Sequence, residues 1–130
     1  MDITPYVPQH AHVINGYSTT GFMINGTLNE GSILIAEGEC RAISFHEASA
    51  LTSEDIENLL QSYQGHLEIL LIGTGTKQAS ISKGMVELIA RKFNCQLEVM
   101  TTGSACRTYN ILMSEGRLVV AILLVDKAPV

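Results

Sequence analysis

Apolar and polar positions along the 130-residue chain fall into two regimes. Up to Phe45 the apolar residues come in short runs broken by glycine turns; from Leu51 onward, helix-spaced stripes alternate with almost unbroken apolar strands. In the first regime Phe22-Met23-Ile24 and Thr27-Leu28 flank Asn25-Gly26, the dipeptide best suited to the positive φ angles of a two-residue type I′ hairpin. Ser32 to Ala36 and Cys40 to Phe45 predict two more strands around Glu37-Gly38-Glu39, so the N-terminal third is expected to be one antiparallel β unit. Residues 1–12 contain Pro5 and Pro8 and little apolar surface, which predicts an extended arm ahead of a single domain over residues 13–130.

In the second regime the punctuation is helical. Thr52 is placed as an N-cap with Asp55 three residues on, Leu51 and Ile56 form a hydrophobic staple, and Ile56, Leu59, Leu60 and Tyr63 make one buried stripe ending at Gly65. Leu67 to Ile72 is too apolar for a half-exposed strand and fits the middle of a sheet covered on both faces. A second helix is predicted over Lys83 to Phe93, with Ser82 as N-cap, Met85, Leu88, Ile89 and Phe93 inward, and Asn94 as a left-handed stop. Gln96 to Met100 is the next strand. Thr102 is expected to cap a third helix with Ala105, Tyr109, Leu112 and Met113 inward, Cys106 at the margin of that stripe, and Gly116 at its end. Leu118 to Val125 is the last strand.

Composition narrows the partners. Charged residues make up 16% of the chain, against a typical value of about 25%, so the surface is sparsely charged and a protein partner or a homo-oligomer interface is expected. Eight Lys and Arg against thirteen Asp and Glu give a net charge of −5, and the basic residues never cluster. Nucleic acid and anionic membrane surfaces are therefore not expected partners. Cys40, Cys95 and Cys106 are odd in number and widely spaced, which supports neither a disulfide framework nor a metal knuckle. With no export signal or apolar run of membrane-spanning length, a cytoplasmic location is expected.

The candidate chemistry gathers at two strand ends. Gly73-Thr74-Gly75-Thr76 follows one strand and Thr101-Thr102-Gly103 another, and in open α/β sheets ligands collect at such carboxyl ends. The first loop resembles fragments of phosphate-binding loops, but it lacks both GxxxxGK[ST] and GxGxxG, and a tight strand-to-helix turn accounts for the same residues. Cys106 lies one turn into a helix beside Arg107, a setting that favours a thiolate; its place beside the apolar stripe equally fits a buried structural thiol, and neither His46 nor His66 is marked as a base for it. Arg107, Tyr109 and Asn110 are read either as a carboxylate-binding cluster or, with more weight, as a buried polar staple. Glu115 and Arg117 are expected to pair on the surface. His10 and His12 share a strand face, but no further ligand follows at a recognisable spacing, so no metal is expected.

The run Gly103-Ser104-Ala105-Cys106-Arg107-Thr108-Tyr109-Asn110, with Leu112, Glu115-Gly116-Arg117 and Val120-Ala121 after it and Leu70-Leu71-Ile72-Gly73-Thr74-Gly75 before it, resembles a known family. It is the small domain family of mitochondrial complex I assembly factor three and the adipogenesis-associated Mth-like domain protein. The resemblance extends from about Tyr17 to Leu124 and includes Gly31-Ser32. Phe45 stands where the family pattern has tryptophan, and Asn94-Cys95 where it has glycine and an aliphatic residue. The resemblance implies a three-layer α/β domain with a central mixed sheet whose last strand runs antiparallel, helices on its faces and an N-terminal β-hairpin extension. For activity it implies an accessory or assembly-type role, and the leading expectation is a non-catalytic domain that binds a protein partner, with no catalytic residue and no cofactor. The alternative is a small-molecule or anion-binding domain, or a small enzyme, using a cleft built from Gly73, Thr74, Gly75, Thr102, Cys106, Arg107, Tyr109 and Asn110.

Overall fold

The structure, a computed structural model, describes residues 11–126. Eight strands and three α-helices follow in the order β1 (Ile14–Tyr17), β2 (Gly21–Ile24), β3 (Thr27–Glu30), β4 (Ile33–Ala36), β5 (Glu39–Ala42), α1 (Ser53–Leu60), β6 (Ile69–Gly73), α2 (Lys83–Phe93), β7 (Gln96–Met100), α3 (Thr102–Ser114) and β8 (Val119–Leu123). β1 to β3 form a small antiparallel sheet, and the other five strands form a mixed sheet in the order β5-β4-β8-β6-β7. The antiparallel unit expected from the N-terminal third is thus divided between two sheets. The reason lies in side-chain pattern: β2 keeps Met23 exposed between buried neighbours, whereas all four residues of β4 are buried and need cover on both faces.

Period-two alternation sorts the central strands between two cores. Ile33, Ile35, Ile69, Leu71, Val119 and Ala121 face α3 and the small sheet, where they meet Phe22, Ile24 and Tyr109. Leu34, Leu70, Ile72, Val120 and Ile122 face α1 and α2, where they meet Ile56, Leu60, Met85 and Ile89. The result is three layers, with the mixed sheet between α1 and α2 on one side and α3 with the small sheet on the other.

Strand direction corrects one expectation. The last strand, β8, pairs parallel with β6, and the antiparallel member of the sheet is β4, which lies between β5 and β8. This follows from the crossovers: α2 carries the chain from β6 to β7, α3 carries it back past β6 to β8, and each crossover needs a helix to return the chain to the same starting edge. The two helices occupy opposite faces because β7 and β8 flank β6 on opposite sides, as right-handed connections require. Gly73 is level with Met100 on β7 and with Leu123 on β8, so three parallel strands end at one edge.

Local signals hold where they depend on neighbours in sequence. Asn25 and Gly26 turn the β2–β3 hairpin with φ of 49° and 82°. Thr52 and Asp55 close a reciprocal capping box on α1, Ser82 caps α2 through Met85 N–H, and Asn94 stops α2 in the left-handed region with φ of 50°. Three details differ. Residues Gln61–Tyr63 tighten into a 3₁₀ turn, and Tyr63 is half-buried because its hydroxyl donates to Glu39. Thr101, not Thr102, takes the N-cap position of α3. Arg117 pairs with Glu68 at 3.1 Å rather than with Glu115, since the chain reverses at Gly116 (φ 78°) and carries the arginine to the start of β6.

Candidate functional site

The edge where β6, β7 and β8 end is tied together by one threonine. The hydroxyl of Thr102 accepts from Gly75 N–H at 2.8 Å and donates to Leu124 C=O at 2.7 Å, while its own N–H donates to Gly75 C=O at 2.9 Å. Behind it, Thr74 N–H donates to Met100 C=O and Leu124 N–H to Gly73 C=O, both at 2.9 Å. The Thr74 hydroxyl donates to Lys77 C=O at 2.9 Å and accepts from Ala79 N–H at 3.2 Å, folding the connector toward α2. Gly73 is required here: a Cβ on it would stand 2.8 Å from the Cα of Thr102. Gly75 has φ of +99°, and Asp126 Oδ1 occupies the place its side chain would take while accepting from Thr76 N–H at 2.9 Å.

Above this floor lies an open cleft of about 310 Å³, walled by Tyr17, Thr76, Gly103, Arg107 and Asp126, with Leu124 and Val125 below. Tyr17 reaches in from the small sheet and rests on Gly103, where a Cβ would be 2.7 Å from the phenol oxygen. The Arg107 guanidinium donates to the Tyr17 hydroxyl at 2.9 Å and to the Ser104 hydroxyl at 3.3 Å, and among the described residues it pairs with no carboxylate. The N-cap side chain, Thr101, bonds the Ser104 hydroxyl at 3.1 Å instead of capping α3; Thr102 N–H goes to Gly75 C=O and Ala105 N–H to Thr101 C=O, which leaves the N–H groups of Gly103, a cleft residue, and Ser104 without a partner among the described residues.

Of the residues singled out by sequence, Gly75, Thr102 and Arg107 line the cleft, and Gly73 and Thr74 stand behind it. Tyr109, Cys106 and Asn110 lie elsewhere on α3. Tyr109 is fully buried and its hydroxyl donates to His12 C=O at 2.9 Å. Asn110 accepts from Ile14 N–H at 3.0 Å and donates to Ile14 C=O at 2.8 Å, bonding β1 as a neighbouring strand would. These two are the staple that fastens the small sheet to α3. Cys106 is buried, and burial pushes its thiol up to about 12, against the opposing pull of the Arg107 charge. Iodoacetamide at pH 8 should therefore label Cys106 about a thousandfold more slowly than a free thiol. Mass spectrometry after timed quenching measures this, and rapid labelling of the folded protein would contradict it.

Sequence reasoning missed Tyr17, Ser18, Thr19 and Asp126 as cleft residues. Asp126 escaped the rule that picked the other loops, because the last strand was expected to run antiparallel, which would put its end at the other edge of the sheet; β8 in fact runs parallel to β6. Tyr17 carried only a hydroxyl-rich turn as its signal. His12 places Nδ1 3.0 Å from Glu37 C=O, His10 lies outside the described residues, and among the described residues no three His, Cys, Asp or Glu side chains converge on a metal position.

Comparison with known proteins covers this whole architecture. Residues 14–124 match a family described as "Protein of unknown function (DUF498/DUF598)". An uncharacterized protein of Rhodobacter capsulatus is 38% identical over 113 residues, covering 85% of this chain and 82% of that one. NADH dehydrogenase (ubiquinone) 1 alpha subcomplex assembly factor 3 of Danio rerio is 30% identical over 112 residues, covering 86% of this chain and 63% of the factor, so the chain spans somewhat under two thirds of that relative's length. Among solved structures, a Bordetella pertussis protein with an Mth938-like domain superimposes with a TM-score of 0.75 at 26% identity, covering 100% of this chain and 96% of that one. A Bartonella henselae protein described as an outer membrane protein superimposes with a TM-score of 0.78 at 29% identity, covering 96% and 98%. Among the described residues no helix of the present chain is long and apolar enough to cross a membrane.

Proposed function

The chain belongs to the DUF498/DUF598 family, and from that premise we propose that it is an accessory protein of the assembly type that works by binding a protein partner. The observation that carries the reading is the similarity to complex I assembly factor 3, which runs across both sheets and all three helices. Two features of the surface support it. Charge is sparse, at 16% of residues, and the small sheet turns an apolar pair away from the core. Met23 and Leu28 are directly opposite in the β2–β3 register and are 37% and 57% exposed. An apolar cross-strand pair of this kind gains by being covered, whereas the polar staple residues of α3 are already occupied within the fold. In this reading residues 13–130 act as one domain in the cytoplasm; the arm expected over residues 1–12 lies outside the described residues as far as His10, and Ala11 and His12 are held by the domain, Ala11 C=O accepting from the Asn25 side chain and His12 N–H donating to Glu37 C=O.

Affinity capture from the native cell tests the proposal. Wild-type protein should recover one reproducible partner, and that partner should be lost from a Met23→Glu/Leu28→Glu variant of unchanged melting temperature while persisting with Arg107→Ala. Equal recovery by the double variant would remove this surface. No reproducible partner, together with substrate turnover that disappears in Arg107→Ala, would replace the accessory reading with an enzymatic one.

A further inference from the structure

We propose that the cleft at the carboxyl ends of β6, β7 and β8 binds a small organic carboxylate, gripped by the Arg107 guanidinium between Tyr17 and the open first turn of α3. The site is independent of the apolar pair on the small sheet. Its position is the switch point of the mixed sheet, where the connections from β6 and β7 depart to opposite faces and leave a crevice between them. At about 310 Å³ the space matches the lower end of small-ligand pockets, roughly 300–1,000 Å³.

The charge arrangement selects the ligand class. Arg107 uses one N–H for the Tyr17 hydroxyl and one for the Ser104 hydroxyl, so of the five donors on a guanidinium three are left for an acceptor. Both hydroxyls are neutral, so they orient the cation without neutralising it, and a planar fork held in advance favours a planar carboxylate. Arg91, Lys77 and Lys83 are exposed too, but none lines this cleft. Asp126 stands in the same cleft with one oxygen on Thr76 N–H. The single Arg107 cation matches the charge of one carboxylate, and the Asp126 carboxylate in the same cleft repels a dianion such as phosphate more strongly than a monoanion. The Tyr17 ring, 49% exposed, offers an apolar surface to the rest of the ligand.

The test is a ¹⁵N NMR titration of the whole chain with sodium butyrate, with butyramide as the uncharged analogue and sodium phosphate as the dianion. Butyrate should shift Gly103, Ser104, Thr76 and Tyr17 amides saturably in the millimolar range. Butyramide should bind at least about tenfold more weakly, as should butyrate to Arg107→Gln, which loses a charge-assisted hydrogen bond. Asp126→Asn should leave the Thr76 contact in place and strengthen phosphate binding. Shifts that never saturate, shifts centred elsewhere, equal affinity for butyramide, or phosphate binding more tightly than butyrate to the wild type would each overturn the proposal. Should Arg107→Gln lose its native spectrum, Tyr17→Phe and the butyramide arm decide, with unchanged butyrate affinity in Tyr17→Phe or wild-type affinity for butyramide equal to that for butyrate counting against the site. None of these failures bears on partner capture through Met23 and Leu28, so the two readings fall separately.

Discussion

Replacing Gly73 by alanine is expected to destabilise the protein by about 3 kcal/mol, an overpacking effect at the upper end of its usual range. The new Cβ would stand 2.8 Å from Thr102 Cα, 2.9 Å from Thr102 Oγ1 and 3.2 Å from Ala105 Cβ. All three atoms belong to the first turn of α3, and Thr102 is hydrogen-bonded to both neighbouring strand ends, so a side-chain rotation cannot relieve the contact. α3 must move away from the sheet, and Ala105, Tyr109 and Met113, all buried beneath it, lose packing. Urea denaturation followed by far-UV circular dichroism should show a lower midpoint with an unchanged slope, and melting should fall by roughly 10 °C for a domain of this size. A midpoint equal to wild type would mean that the helix is free to shift, and would withdraw the claim that the cleft has a rigid floor.

Thr102→Val should cost about 2–6 kcal/mol although it changes shape very little. The valine leaves Gly75 N–H and Leu124 C=O buried without the bonds of 2.8 Å and 2.7 Å that the hydroxyl supplies. Leaving each of two buried polar groups unmade costs roughly 1–3 kcal/mol, and that penalty, not loss of volume, is the cause. Thr102→Ser separates the two effects, because it keeps the hydroxyl and sacrifices only a methyl group worth about 1 kcal/mol. Denaturant unfolding of the three proteins decides the matter: if serine is as damaging as valine, the hydroxyl is not the tie. The Gly73→Ala and Thr102→Val effects should not add, since both act through the same threonine.

How far the site was legible depended on the range of the forces involved. Arg107 and Gly75 were visible because a glycine after an apolar strand and an arginine in a helix's first turn are local patterns. Thr102 was visible too, both as a cleft residue and as the cap of α3; it lines the cleft, but Thr101 holds the cap position and Thr102 faces the sheet. One residue along a helix is about 100° of rotation, and only packing against Gly73 selects which threonine turns inward. Cys106 moved in the opposite direction, from the margin of the stripe to 2% exposure, because the small sheet covers a helix face that the chain's periodicity treats as half-open. The small sheet joins the same buried cluster as Cys106 through Ile14 and Phe22, over eighty residues earlier in the chain.

By itself, then, the sequence determined what short-range physics controls: the type I′ turn at Asn25-Gly26, the capping box at Thr52 and Asp55, the left-handed stop at Asn94, and the alternation that sends Leu71 and Ile72 to opposite cores. Each rests on hydrogen bonds or pleat geometry between residues a few positions apart. Tertiary structure alone decided the division of the N-terminal strands between two sheets, the direction of β8 relative to β4, and the meeting of Tyr17, Gly103, Arg107 and Asp126. Those outcomes depend on which distant strands pair, and a pairing energy is shared between segments whose separate patterns are compatible with several partners. The cleft exists because three parallel strands end level and a tyrosine from the other sheet leans on a glycine that has no side chain to push it away.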